Sequence, residues 1–186
     1  FSIRRVCDFD FRPGSGEPLS ERGRAIVRRM VELGIVVDVT HCTTEARAAV
    51  FAEVGGRRPV VASHVGVRAL NPVDYNLSDD DIRAIARTGG AVGIIFMPRW
   101  LDARAPANGL DAIERTIAHV RRVTGSDDHV MIGSDFDGFT DPPDDLPDAS
   151  WMGALTDHLL RRGMPEDALR KLLGGNALRV LEAGWG

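Results

Sequence analysis

Three side chains that can bind a metal ion or carry a proton each follow an apolar run of strand length, and they are His41, His64 and Asp135. In a parallel α/β fold, the carboxyl ends of the strands lie on one face of the sheet, where such folds build their sites. The pattern therefore predicts a hydrolytic metal site. Two histidines and one aspartate do not complete such a site, so further ligands are needed.

Each of these residues also has a plainer interpretation. A neutral imidazole on a rigid element suits zinc at neutral pH, but a single histidine near a core is usually only hydrogen-bonded. The occurrence of His41 and His64 in successive strand units gives a shared ion equal weight with the hydrogen-bonded interpretation. Asp135 can take up and return a proton beside an activated water, or it can cap a turn. For Asp137, the turn interpretation is favoured because Asp137-Gly138 is a typical turn pair.

The elements that must position these residues alternate along the chain. Apolar runs predict strands at residues 35–40, 60–63, 91–96 and 130–133. Ser20, Thr43 and Ser78 are candidate N-caps of the first three helices, and further helices are predicted at 110–123, at 151–162, from Pro165, and at 176–183. This alternation predicts an α/β fold with a parallel sheet. Four strands are half of a (β/α)₈ barrel, which usually needs about 250 residues.

The composition bounds the class of protein. The chain has 186 residues, of which 44% are hydrophobic and 27% charged, as in ordinary globular domains. The net charge of -4 gives no reason to expect a nucleic-acid partner. No apolar run approaches the roughly 20 residues of a membrane span, and none resembles a signal peptide, so a cytoplasmic location is expected. Cys7 and Cys42 are too few for a disulfide scaffold.

Several stretches of the sequence carry a family resemblance. They occur in a fixed order over about residues 19–183, and they are residues 33–41, 59–64, 76–79, 89–93, 132–138 and 173–180. This ordered set is similar to the membrane dipeptidase (renal dipeptidase) family of zinc peptidases, within the amidohydrolase-like TIM barrels. The fold expected is a partial TIM (β/α)₈ barrel, with residues 1–19 as an irregular N-terminal segment and residues 20–186 as the C-terminal half of the barrel.

The resemblance implies an activity and a set of roles. The family hydrolyses the peptide bond of dipeptides by metal-activated water, and its complete site holds two Zn²⁺ ions bridged by a glutamate. By this resemblance, His41 and His64 would bind one zinc ion, the only one expected from the ligands present. Asp135 would be the catalytic acid–base residue, and Tyr75 and Asn76 would lie at the substrate-binding position.

The sequence also departs from the family pattern. A His-x-Asp motif, the bridging glutamate and a further histidine are absent, and all three normally lie upstream of the stretch covered here. Asp8-Phe9-Asp10 is a weak candidate replacement for the missing ligands. Tyr75 stands where the family usually has an arginine that grips the substrate carboxylate bidentately, which a phenol cannot do. A different C-terminal group is therefore expected, unless Tyr75 only packs the loop and Arg68 reaches across instead.

Two other functions stay open. A half-barrel exposes two strand edges, so the chain could be an inactive or assembly-only module that forms homo-oligomers through those edges. It could also catalyse another amidohydrolase-type reaction on an amide or a lactam. The remaining histidines on helices, His119 and His158, are expected to be surface residues or satisfied core residues.

Overall fold

The computed structural model of this chain describes residues 6–9, 16–104, 109–138 and 140–186, so the predicted candidate Asp10 lies outside the described residues. Eight α-helices and four β-strands follow one another in the described ranges. They are α1 Glu21–Glu32, β1 Val37–Asp38, α2 Thr44–Val54, β2 Val60–Val65, α3 Asp79–Arg87, β3 Val92–Ile94, α4 Pro98–Leu101, α5 Gly109–Thr124, β4 Val130–Ile132, α6 Met152–Arg161, α7 Glu166–Arg170 and α8 Asn176–Trp185.

The four strands form one parallel sheet in the order β1-β2-β3-β4. The prediction of a parallel α/β fold is therefore confirmed. The strand bounds differ from those predicted, because β1, β3 and β4 are shorter and β2 is longer. As a result, His64 is the penultimate residue of β2 rather than the first residue after it, and it still lies at the carboxyl end of its strand.

The helix starts follow local capping chemistry. The side chains of Ser20 and Thr43 accept hydrogen bonds from backbone N–H groups in the first turns of α1 and α2. Ser78 and Asp81 form a reciprocal capping box at the start of α3. All three predicted N-caps are confirmed, since each satisfies a donor that a helix end would otherwise leave open. Pro165 is the N-cap residue of α7 rather than its first helical residue.

The core lies between the sheet and the helices on its outer side. Fully buried side chains from a strand and two helices pack there, among them Ile94 of β3, Ile82 and Ile85 of α3, and Ile113 and Ile117 of α5. Burying a side chain of this size contributes roughly 1.5–3 kcal/mol relative to leaving it exposed. The helices therefore fix the sheet, and the sheet fixes the residues at the ends of its strands.

The last helix is tied to the sheet by Asn176. Its side-chain amide donates to the carbonyl oxygens of Asp127, at 2.6 Å, and Val130, at 2.7 Å. The backbone kinks at Gly174 just before α8 begins, which agrees with a structural role for this glycine-rich stretch. Within the described ranges, no helix has the length and apolar composition needed to cross a membrane.

Candidate active site

The imidazole rings of His41 and His64 meet at one face of the sheet. Their Nε2 atoms are 3.0 Å apart, and the rings are inclined at 68°. Two nitrogens that bind one zinc ion at about 2.0–2.1 Å with tetrahedral angles are about 3.3 Å apart. The observed pair thus fits two neighbouring ligands of one ion, and the same distance suits a hydrogen bond between the rings when no ion is bound.

A β-bulge directs His64 toward His41. Three residue steps along β2 correspond to two along β3, so Ser63 and His64 together face the single residue Gly93. A Cβ atom at Gly93 would lie 1.8 Å from the carbonyl oxygen of Ser63. The absence of a side chain there allows the bulge, and bulges beside active sites commonly redirect a side chain.

Polar groups around Ser63 orient the imidazole of His64. The Ser63 hydroxyl lies 2.8 Å from Nδ1 of His64 and 3.3 Å from the hydroxyl of Thr40. The Asp38 carboxylate accepts hydrogen bonds from the backbone N–H groups of Thr40 and Ser63. When Nδ1 donates to the Ser63 hydroxyl, Nε2 keeps its lone pair for a metal ion, as in many metal-binding histidines.

Two of the predicted site residues have an unusual backbone conformation. The φ angles of His41 and Asp135 are 65° and 58°, in the left-handed region that residues other than glycine seldom adopt. Such conformations concentrate at functional sites, where the surrounding structure holds them in place. Asp137 has a φ of 63° as well, which agrees with the predicted turn.

The turn after β4 positions Asp135. The Asp135 carbonyl accepts hydrogen bonds from the backbone N–H of Gly138, at 3.1 Å, and from the hydroxyl of Thr140, at 2.7 Å. A Cβ atom at Gly138 would lie 2.6 Å from the Oδ1 atom of Asp135. The carboxylate of Asp135 therefore lies over a position that only glycine leaves open.

Burial favours the neutral form of His64. Burial lowers the pKa of His64 below its ordinary value, and the neighbouring His41 lowers it further. The carboxylates of Asp135 and Asp38 oppose this effect but do not outweigh it. A neutral imidazole is the form that binds a metal ion. The Asp135 carboxylate is thus among the charges that act on the pKa of His64.

Asn76 holds the site's loops together from inside. Its side chain is fully buried. Its Oδ1 atom accepts from the backbone N–H of Gly66, and its Nδ2 atom donates to the carbonyl oxygens of Asn71 and Trp100. These internal bonds give Asn76 a structural role, so any effect of its side chain on substrate would be indirect, through the loop that carries Tyr75.

Tyr75 lies beside an aromatic residue that the sequence reasoning missed. The rings of Tyr75 and Trp100 are 4.1 Å apart between centroids, and Trp100 meets the ring of His41 edge-on at 6.4 Å. Trp100 belongs to the short helix α4, which begins at Pro98, four residues after the end of β3. In the sequence, Pro98 was a signal for the start of this helix, but not for the contact between Trp100 and His41.

Two arginines clamp the backbone on both sides of Tyr75. Arg68 donates to the carbonyl oxygens of Asp74, at 2.9 Å, and Asn76, at 3.1 Å. Arg47, which is completely buried, lies 3.4 and 3.5 Å from the same two oxygens. The guanidinium of Arg68 is thus bound to this loop, and it also donates to the hydroxyl of Thr44 at the start of α2.

The thiol of Cys42 and the backbone of Asp8 lie next to the site. Cys42 is buried, and its sulfur is 3.9 Å from the sulfur of Cys7. The backbone N–H of Thr43 donates to the carbonyl oxygen of Asp8. Asp8 itself is thereby brought beside the turn that carries His41, while a role for it as a metal ligand stays a prediction.

A second group of possible ligands lies on the outer helices. Asp111, Glu114 and His158 place their ligand atoms within 4.8 Å of one another. Within the described part of the chain, this is the one group of three or more histidine, cysteine or carboxylate side chains that does so. His158 and Arg162 both bond to Glu114, at 2.9 and 3.0 Å. Burial alone would raise the pKa of Glu114, but these two partners hold it below its usual value. We interpret the cluster as an ion-pair network.

Comparison with known proteins identifies the family. The family model for membrane dipeptidase, peptidase family M19, matches residues 5–184. Dipeptidase aclJ of Aspergillus oryzae is 37% identical over 88% of this chain and 38% of its own length. An uncharacterized protein of Klebsiella pneumoniae, from the pqqA 5' region, is 35% identical over 95% of this chain and 65% of its own. The chain belongs to the membrane dipeptidase family, which consists of metal-dependent dipeptidases.

Solved structures agree with this assignment. A metallopeptidase of family M19, dipeptidase AC, is 31% identical with a TM-score of 0.84 over 94% of this chain and 51% of that chain. A metallopeptidase from Rhodobacter sphaeroides with a bound phosphinate mimic of the dipeptide L-Ala-D-Ala has the same identity, 31%, and TM-score, 0.84, over 93% of this chain and 50% of that chain. The prediction of a partial TIM barrel is confirmed. The chain spans 38% of the length of the Aspergillus oryzae dipeptidase and 65% of that of the Klebsiella pneumoniae protein.

Proposed function

We propose that this chain contributes part of the active site of a zinc-dependent dipeptidase, which hydrolyses the peptide bond of dipeptides. The observation that carries the proposal is the convergence of Nε2 of His41 and Nε2 of His64 to 3.0 Å. Family membership supports it, as does the dipeptide mimic bound by the similar Rhodobacter sphaeroides metallopeptidase. Residues 20–186 would form the C-terminal half of the barrel.

Each residue has a distinct role in this proposal. His41 and His64 hold one zinc ion, which when bound supplies a Lewis acid that makes water more acidic. Asp135 accepts the proton that the attacking water gives up and returns it to the leaving amine. Tyr75 contacts the substrate, and Asn76 holds the loop beside it. A cytoplasmic location stays a prediction.

Further ligands are needed to complete the site. In the described ranges, no third histidine, cysteine or carboxylate brings a ligand atom within 4.8 Å of the nitrogens of both His41 and His64. A catalytic zinc ion usually has three protein ligands and one open position. The two-zinc site of the family, and the activity that depends on it, therefore require residues beyond those identified here.

Substitution of the acid–base residue tests the proposal. In the zinc-loaded enzyme, Asp135→Asn is expected to lower kcat for dipeptide hydrolysis by about 10²–10⁴, because the group that moves the proton is lost. Zinc affinity should not change. Asp137→Asn is the matched control, since Asp137 has a similar φ angle but lies in the exposed turn. Full activity of Asp135→Asn would refute the assigned role.

An assembly role is a second candidate, favoured by the position of β1 and β4 at the two edges of the sheet. Unpaired strand edges can pair with another chain. Light scattering combined with a hydrolysis assay separates the two functions. A stable monomer that hydrolyses dipeptides would contradict the assembly role, whereas an inactive oligomer would support it.

Another amidohydrolase reaction is the third candidate. A solved amidohydrolase from Pseudomonas aeruginosa is 28% identical with a TM-score of 0.83, over 96% of this chain and 60% of that chain. Tyr75 at the substrate-binding position leaves room for a substrate without a free carboxylate. Assaying amides and lactams beside dipeptides decides between these reactions, because a dipeptidase would prefer the dipeptides.

A further inference from the structure

Three aromatic rings lie in series, beginning with the candidate metal ligand His41. Tyr75 stacks on Trp100 at a tilt of 34°, and Trp100 meets His41 at 85°. All three residues are half-buried. We call Tyr75 and Trp100 together the aromatic wall.

The aromatic wall is held in place from behind. The carbonyl oxygen of Trp100 accepts hydrogen bonds from the side-chain amides of Asn76, at 2.8 Å, and Asn71, at 3.3 Å. The carbonyl oxygens flanking Tyr75 accept from Arg68. These hydrogen bonds already order the backbone at Trp100 and around Tyr75. A ligand that contacts the wall therefore loses little binding free energy to conformational ordering of the protein.

Charges of both signs border the wall. The side chain of Asp74, next to Tyr75, is fully exposed but lies 3.5 Å from the guanidinium of Arg68, which also donates to Thr44 and to the backbone around Tyr75. Asp38 is exposed near His64, and Arg99 is exposed next to Trp100. Because these charges offset one another, the aromatic faces are what the wall offers a ligand, and they suit an uncharged apolar group.

We propose that the aromatic wall binds an uncharged apolar or aromatic side chain of the dipeptide and makes the enzyme selective for such substrates. This inference rests on the proposed function and names the substrate class of the same site. Trp100 is then a specificity-determining residue, and Asn76 is a positioning residue that acts through it. A side chain such as that of phenylalanine buries more apolar area on the wall than that of alanine.

The test compares two phosphinate dipeptide analogues that differ only in one side chain, phenylalanine or alanine, on the leaving-amine side. Calorimetry on the zinc-loaded enzyme should show about tenfold tighter binding of the phenylalanine analogue. Trp100→Ala should bring the ratio of the two Kd values close to one, while Trp100→Phe should retain most of the selectivity. Trp151→Ala, at an exposed tryptophan before α6, should leave the ratio unchanged.

Each outcome decides the inference. Equal binding of both analogues by the unaltered enzyme would overturn it while leaving the proposed function intact. An unchanged ratio in a folded Trp100→Ala variant would also overturn it. Binding of neither analogue by the zinc-loaded enzyme with its complete ligand set would overturn the proposed function and the inference with it. If Trp100→Ala does not fold, Tyr75→Ala replaces it with the same expected loss of selectivity.

Discussion

The carbonyl oxygen of Ser63 occupies the space that a side chain at Gly93 would need, 1.8 Å from the position of its Cβ atom. This contact is part of the bulge that turns His64 toward His41. Gly93→Ala should therefore lower the free energy of unfolding by about 3 kcal/mol, because backbone atoms must move to admit the methyl group. Urea unfolding followed by circular dichroism measures the change.

Gly153→Ala is the matched control for this substitution. Gly153 lies in α6, and a Cβ atom there would have no atom within 4 Å. Alanine should raise the free energy of unfolding by about 0.5–1 kcal/mol, because it favours the helix more than glycine does. Equal effects of the two substitutions would show that the Ser63 contact does not constrain the sheet.

The position of Asp135 depends on the glycine three residues later. Gly138→Ala would place a methyl group 2.6 Å from the carboxylate oxygen of Asp135 and force it to move. We expect kcat to fall by about tenfold or more, since small displacements of a catalytic group are costly. In the Asp135→Asn background, Gly138→Ala should have no further effect on kcat. An additional loss there would mean that Gly138 acts on another part of the site.

A substitution at Tyr75 should change how the enzyme recognises the carboxyl end of its substrate. In Tyr75→Arg, a guanidinium becomes able to bind a carboxylate through two parallel hydrogen bonds. The kcat/KM of a dipeptide relative to that of its C-terminal amide should rise about tenfold. Tyr75→Phe is the control and should leave this ratio unchanged. A similar rise in both variants would exclude carboxylate binding as the cause.

The ion-pair network on the outer helices should make stability depend on pH. The folded-state pKa of Glu114 lies below its usual value. The ionised Glu114 carboxylate therefore contributes its full stabilisation above about pH 4.3, the usual glutamate pKa. This stabilisation is lost as the pH falls through the lower pKa of the folded state. Glu114→Gln should lower the free energy of unfolding modestly at pH 7, because Arg162 is largely exposed. The difference from the unaltered protein should vanish in acid.

Much of the fold follows from local sequence chemistry. The caps Ser20, Thr43 and Ser78 were predictable because a hydroxyl before an amphipathic segment can bond the open N–H groups of a helix start. The strands were predictable as short apolar runs between helices. Their limits were not, because the end of β2 depends on the bulge opposite Gly93.

The site could be predicted only in part. His41, His64 and Asp135 were recognisable from their residue types and from the apolar runs before them. Trp100 was not, because its approach to His41 depends on how the loops after β2 and β3 meet through Asn76. Such contacts arise between segments distant in sequence, and no local pattern encodes them.

Zinc titration of the purified, metal-free protein tests the central claim most directly. His41→Ala and His64→Ala should each weaken zinc binding by about 100-fold or more, because each removes one of two converging ligands. His158→Ala is the control, since it removes the histidine of the outer cluster and should leave this affinity unchanged. If His158→Ala weakens zinc binding while His41→Ala and His64→Ala bind zinc as the unaltered protein does, the assigned metal site is wrong.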